Sequence, residues 1–183
     1  MANRSYITPD EFRAKPLAMP LRQYSDVQIQ EYAEIATSNV EDFLERILAR
    51  QSYTETFRGD GSTTFLLHEY PLISVSSLTE KTVASTPVTT TYTLSHLVRT
   101  SDNDAAGRIE LDGLGEFTAF DPANLYTITY EAGFDSIPPK VKHATALWIC
   151  ELLSPDYTKD ESGRQTSSEQ IVELLTPIRR RRI

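Results

Sequence analysis

Three histidines, one cysteine and a scatter of carboxylates are the residues of this chain with chemistry to offer, and their spacing is poor for it. His68, His96 and His143 are far apart in the sequence. No two share the three- or four-residue spacing that presents a pair of metal ligands on one helix face. Cys150 lies in the apolar stretch ALWICELL with no base beside it, so it reads as a buried structural thiol. A Gly-x-Ser-x-Gly elbow, a phosphate-cradling glycine loop ending in Lys-Ser/Thr and a His-Glu-x-x-His pair are all absent. Glu110 and Asp112 are the carboxylates a hydrolase would use, but they fall on a predicted strand end and turn without a partner. Asp60 and Asp112 lack the loop ligands of a calcium hand and suit turns better. Arg58-Gly59-Asp60 spells an adhesion tripeptide, yet each residue has a turn role there. The expectation is no catalytic site, no metal and no cofactor.

The chain around these residues has 183 of them, enough for one domain with an insertion or a tail. Its formal net charge is −8, and setting aside the four positive charges of Arg179, Arg180, Arg181 and Arg182 leaves −12. Such a body binds nucleic acid poorly, because phosphates need neutralising cations. It suits a surface along which nucleic acid slides. One cysteine permits no intrachain disulfide. The N-terminus has no apolar signal region, and no run approaches a membrane span. A soluble protein made in a cytoplasm, with no membrane partner, is expected.

The elements follow from periodicity. Thr8-Pro9-Asp10-Glu11 caps a short helix, and KPLAMPL reads as an extended connector. Ser25 opens the strongest helix, SDVQIQEYAEIATSNVEDFLERILAR, without Gly or Pro. Its apolar positions are Tyr32, Ile35, Ala36, Val40, Phe43, Leu44, Ile47 and Leu48. Glu34, Asn39, Asp42, Glu45 and Arg46 make the opposite face. After Gln51 the period falls to two. Tyr53–Phe57 and Thr64–Tyr70 read as a hairpin about the turn Arg58, Gly59, Asp60, Gly61. Pro71 marks a corner or an edge. Further strands are expected at Leu72–Thr79, Thr91–Val98, Gly107–Asp112 and Leu125–Glu131. Pro139 starts a second apolar helix to about Leu153. Ser154–Ser167 is polar and aperiodic, hence a loop or disordered. Ser167 or Ser168 then caps a short helix with Leu174 and Leu175. Pro177, Ile178, the four arginines and Ile183 follow. That helix is too short to stand alone. It must dock, onto its own domain or, as the favoured reading, onto a partner.

The fold class read from this order is α+β. A small helical bundle joins the long N-terminal helix to a central C-terminal helix, with an antiparallel β-subdomain inserted between them and a helical tail after them. The parts are an arm with a short helix at 1–24, a helical core at 25–51 and 137–153, a β-rich part at 52–136, and a linker, short helix and arginine tail at 154–183.

The order of the segments YTETFRGDGSTTFLLHEYPLISVSSL, GRIEL, LYTITYEAGF, IPPKVKHATALWICELL and LLTPIRRRRI, after a long acidic helix, resembles the head–tail connector (adaptor, or head-completion) proteins of tailed bacteriophages. The resemblance covers about residues 20 to 183. It departs at Ile178, where that family often has an aromatic, and the residues before about Leu21 fall outside it. The resemblance implies a non-enzymatic virion protein of the neck, made in the bacterial host cytoplasm. It implies a homododecameric ring beneath the portal protein, with genomic DNA passing through without sequence-specific contact and a neck or tail-completion protein docking below. It assigns portal binding to Leu174, Leu175, Ile178, Arg179, Arg180, Arg181, Arg182 and Ile183. A tail-side contact is expected at the hairpin turn Arg58, Gly59, Asp60 and Gly61. The alternative is a β-rich virion module binding carbohydrate or a receptor, which needs exposed aromatics such as Tyr92, Tyr126 and Tyr130.

Overall fold

The computed structural model of the chain describes residues 5–83, 86–98, 100–113, 118–154 and 166–179. It is an α+β protein that divides into a helical unit, Met1–Ala49 with Ser136–Ile183, and a β-rich unit, Arg50–Asp135.

The helical unit begins with α1, Pro9–Arg13. The Thr8 hydroxyl accepts from the Glu11 N–H at 3.2 Å, and the Glu11 carboxylate accepts from the Thr8 N–H at 3.1 Å. This reciprocal box satisfies two N–H groups that a helix start leaves without partners. The segment expected to be an extended connector is instead a 3-10 helix, Pro16–Leu21, burying Ala18 and Leu21. Proline's fixed φ suits that turn as well as an extended chain, so the two prolines did not decide between them.

Helix α2 spans Asp26–Leu44, with Ser25 and Gln28 forming a second capping box. It stops six residues before the expected end. Glu45 turns left-handed at φ 58, and the Arg46 N–H reaches the Glu41 carbonyl at 3.2 Å. Leu48 keeps its inward position in irregular chain: it is fully buried, and its N–H donates to the Tyr6 hydroxyl at 2.8 Å. Apolar spacing therefore carried on past the helix that seemed to cause it. Arg46, expected on the polar face, is buried, whereas Ile35 and Val27 are exposed. The core begins at Tyr6 and Ile7, and Tyr6 is tied to α2 through Thr37 and Glu41. The N-terminal arm thus belongs to the core cluster with Ile29, Ala33, Ala36, Ile149 and Cys150.

Helix α4, Pro139–Leu153, packs on α2 and on α5, Thr166–Leu175. Proline at the first position costs α4 nothing, since its missing N–H would have had no partner. The expected mobile linker is outside the described residues over 155–165, as are the arginines after Arg179.

In the β-rich unit, β1 (Gln51–Arg58), β6 (Asn124–Ala132), β3 (Leu72–Thr82) and β4 (Thr89–Thr91) form one antiparallel sheet in that order. β2 (Thr64–Leu66) and β5 (Arg108–Glu110) form a second, two-stranded sheet. The expected hairpin is therefore corrected: β1 pairs with β6 and β2 with β5. The residues between β1 and β2 make a corner from one sheet to the other. The expected strand over Thr91–Val98 is also corrected. Only Thr89–Thr91 pairs, then Leu94–His96 makes a 3-10 turn and Leu97 bridges to Leu111. A helix not expected from the sequence, α3 (Ser101–Ala106), is capped by Thr100 and closed by Gly107 at φ 67. Tyr126, Ile128 and Tyr130 on β6 centre the core, with Leu78, Phe120 and Ile109 around them.

Candidate functional site

Of the expected contact residues, Leu174, Leu175, Ile178, Arg179 and the turn Arg58–Gly61 have a place, while Arg180, Arg181, Arg182 and Ile183 lie outside the described residues. Leu175 is fully buried in the helical unit beside Ile171, and Leu174 and Ile178 are half-buried. Of the residues expected to bind the portal, Leu175 therefore serves its own core. The short helix has docked onto α4. Burying a leucine side chain is worth about 1.5–3 kcal/mol, which explains how ten residues hold a helical form. Val172, 48% exposed, is the outward apolar residue of α5. The chain then turns through a 3-10 helix, Thr176–Ile178, to Arg179. The Arg179 guanidinium donates to the Glu45 carboxylate and lies 5.4 Å from the Phe43 ring centre.

The turn Arg58–Gly61 is held, not free. The Gly59 N–H donates to the Asn124 carbonyl at 3.2 Å and the Gly61 N–H to the Phe120 carbonyl at 2.8 Å. Gly59 is buried so closely against the Asp121 and Phe120 carbonyls that a Cβ would overlap them. Gly61 needs its left-handed φ of 84. The Asp60 carboxylate accepts the Ser62 N–H at 2.8 Å, and the Ser62 hydroxyl, then this N–H, hold its pKa below the usual value. Arg58 donates through Nε to the Pro122 carbonyl at 2.7 Å. The adhesion tripeptide is thus spent on turn geometry.

Beside this turn lies a hollow of about 480 Å³, with Gly61, Glu80, Tyr92, Asp121 and Pro122 in its wall. Its carboxylate is already engaged. Glu80 accepts from Asn124 at 2.6 Å, Tyr126 at 2.7 Å and Tyr92 at 3.1 Å. Burial, then these neighbours, push the Tyr92 and Tyr126 hydroxyls above their ordinary range. Tyr130 behaves likewise through burial and the Glu55 carboxylate that accepts its hydrogen bond. Tyr92, Tyr126 and Tyr130 are 5%, 0% and 0% exposed. They supply no exposed aromatic platform, which corrects the expectation on which the binding-module alternative rested.

The polar face of the large sheet has a regularity that no single segment announced. Thr56 sits opposite Thr127, Thr127 opposite Thr79, and Thr79 opposite Thr91, so one row of threonines crosses all four strands. Thr54, Thr129 and Ser77 form the next row. The hydroxyls of Thr56 and Thr127 lie 3.0 Å apart, and those of Thr54 and Thr129 lie 3.2 Å apart. The sequence signal was threonine at alternate positions in YTETF and YTITY. Only the register brings them together.

The candidate chemical residues are dispersed. His68 pairs with Glu55 at 2.7 Å and His96 with Asp112 at 3.1 Å, in separate places. Glu110 accepts from Asn103 and Arg108, which hold its pKa down and so keep it ionised. Among the described residues no group of three or more His, Cys, Asp or Glu is placed to hold a metal, and no helix is long and apolar enough to cross a membrane. Cys150 is buried, and burial pushes its thiol up to about 12.

No protein-family model matches the chain, and no curated protein matches it in sequence. Solved structures do match it, over all of this chain and 97% of theirs. One is a chain from the neck of an empty gene transfer agent (GTA) particle computed with C6 symmetry, at 18% identity and a TM-score of 0.60. Another is from the virion of a native GTA particle, at 17% and 0.57. A third is from the neck of a native GTA particle computed with C12 symmetry, at 22% and 0.51. The class that these likenesses define is one of fold: helices carrying an inserted antiparallel sheet.

Proposed function

We propose that this chain is a structural subunit of the neck of a tailed-phage-like particle, where copies form a ring beneath the portal. The observation that carries this reading is the match in fold, along the whole chain, to chains from GTA necks computed with C6 and C12 symmetry. The acidic body, −8 overall despite four terminal arginines, suits a conduit that releases DNA. The role is that of a head–tail adaptor: the ring extends the DNA channel, and a neck or tail-completion protein docks on its far side. It performs no catalysis and takes no cofactor. The segment from Thr176 onward is the portal anchor, with its arginines meeting acidic groups on the portal. Arginine forms bidentate pairs with carboxylates, and a ring repeats each weak pair.

Deleting 176–183 tests the anchor. Leu175 and the core stay in place, so the truncated chain should keep its circular dichroism and melting profile. It should fail to join DNA-filled heads. Truncated protein that completes heads at wild-type yield would overturn the anchor.

A further inference from the structure

Of the four terminal arginines, Arg179 lies within the described residues, and there it is engaged. Arg179 donates to the Glu45 carboxylate, stacks over Phe43 at 5.4 Å, and sends its N–H back to the Leu175 carbonyl at 3.1 Å. A guanidinium within about 6 Å of a ring centre is attracted to the ring face, and its planar fork suits a carboxylate at the same time. Both partners sit at the C-terminal end of α2. Glu45 is the only non-glycine among the described residues with positive φ. Such a helix-ending position favours glycine, because a Cβ there crowds the following carbonyl. A glutamate in that conformation needs another use, and its carboxylate has one in Arg179.

We propose that Glu45, Phe43 and Arg179 form a clasp that fixes where the arginine run leaves the helical unit, so that Arg179 positions the arginines after it for an acidic protein surface. The choice of the portal as that surface rests on the function proposed above. A tail that leaves from a fixed point loses less freedom on binding than one that swings from Leu175.

The test uses the full-length chain and the portal assembly purified from the same particle. Amide hydrogen exchange on the isolated chain reads the clasp, and titration with portal reads its consequence. Glu45→Gly removes the carboxylate and relieves the backbone, so the helical unit should melt no lower while Thr176–Arg179 exchanges faster. Glu45→Gln, which keeps the side chain's size, should show the same faster exchange. Portal affinity should fall about 2- to 5-fold in both, the scale of one exposed ion pair. Arg179→Lys should restore part of what Arg179→Ala loses. Replacing Arg180, Arg181 and Arg182 by alanine should lower affinity more and leave exchange at Thr176–Arg179 unchanged. Unchanged exchange in both Glu45 variants would overturn the clasp. Faster exchange with unaltered portal affinity would overturn its positioning role. If deletion of 176–183 leaves portal binding intact, the anchor reading itself falls, whatever the Glu45 variants show.

Discussion

The Tyr126 hydroxyl stands 2.7 Å from the Glu80 carboxylate while its ring is wholly buried at the centre of the sheet. It also accepts the Asp121 N–H at 2.8 Å. One phenol thus joins β6 to β3 and to the loop that seats the Gly59 turn. Tyr126→Phe keeps the ring, removes one of the three donors to Glu80 and takes the acceptor from the Asp121 N–H. A hydrogen bond to a charged group is worth about 1.5–3 kcal/mol, so urea unfolding should show a loss of that order.

The same phenols make the fold sensitive to alkali. Tyr92, Tyr126 and Tyr130 have folded pKa values raised, first by burial and then by neighbouring carboxylates, with the Tyr126 hydroxyl also raising Tyr92. A raised pKa contributes stability that is complete below the unfolded value, about 10 for tyrosine, and that is lost as pH rises through the folded value. Stability should therefore be flat toward pH 9 and decline above about 10. Tyrosinate absorbance should show these three ionising with unfolding, later than exposed tyrosines. Simple titration of all tyrosines near pH 10 in a folded chain would contradict this.

Local signals in the sequence were largely readable, and long-range ones were not. The Thr8 capping box, the helix start at Ser25 and the alternation of Tyr126, Ile128 and Tyr130 are set by neighbours within a few residues. The end of α2 was hidden, because no Gly or Pro stands at Glu45 and Leu48 continues the apolar spacing. The partner of β1 was hidden too. A Gly-Asp-Gly turn suggests the adjacent strand, yet Phe57 pairs with Tyr126, far along the chain. Leu175 and Arg179 read in the sequence as residues set against a partner, and only tertiary packing shows that both are engaged within the helical unit.

The Gly59 turn should tolerate no side chain. A Cβ at Gly59 would overlap the Asp121 and Phe120 carbonyl oxygens. Overpacking of this kind costs about 1–3 kcal/mol, and backbone cannot swing aside as a side chain can. Gly59→Ala should lower the denaturation midpoint by that measure. Gly113→Ala has open space but a φ of 70, so it should cost only the left-handed strain, about 1–2 kcal/mol.

Cys150 should be inert while the chain is folded. Burial and a thiol pKa near 12 leave almost no thiolate at pH 8. Native protein should resist iodoacetamide for hours and react within minutes in urea. Rapid labelling without denaturant would show that α4 opens locally.

The most direct measurement of the central claim is a cryo-electron reconstruction of the neck of the particle that carries this chain. The expected density is a ring of copies of this chain seated beneath the portal, with the segment around Arg179 on the portal side and an open channel along the axis. A neck ring built from a different chain, or this chain found only at the tail tip or in fibres, would contradict the account.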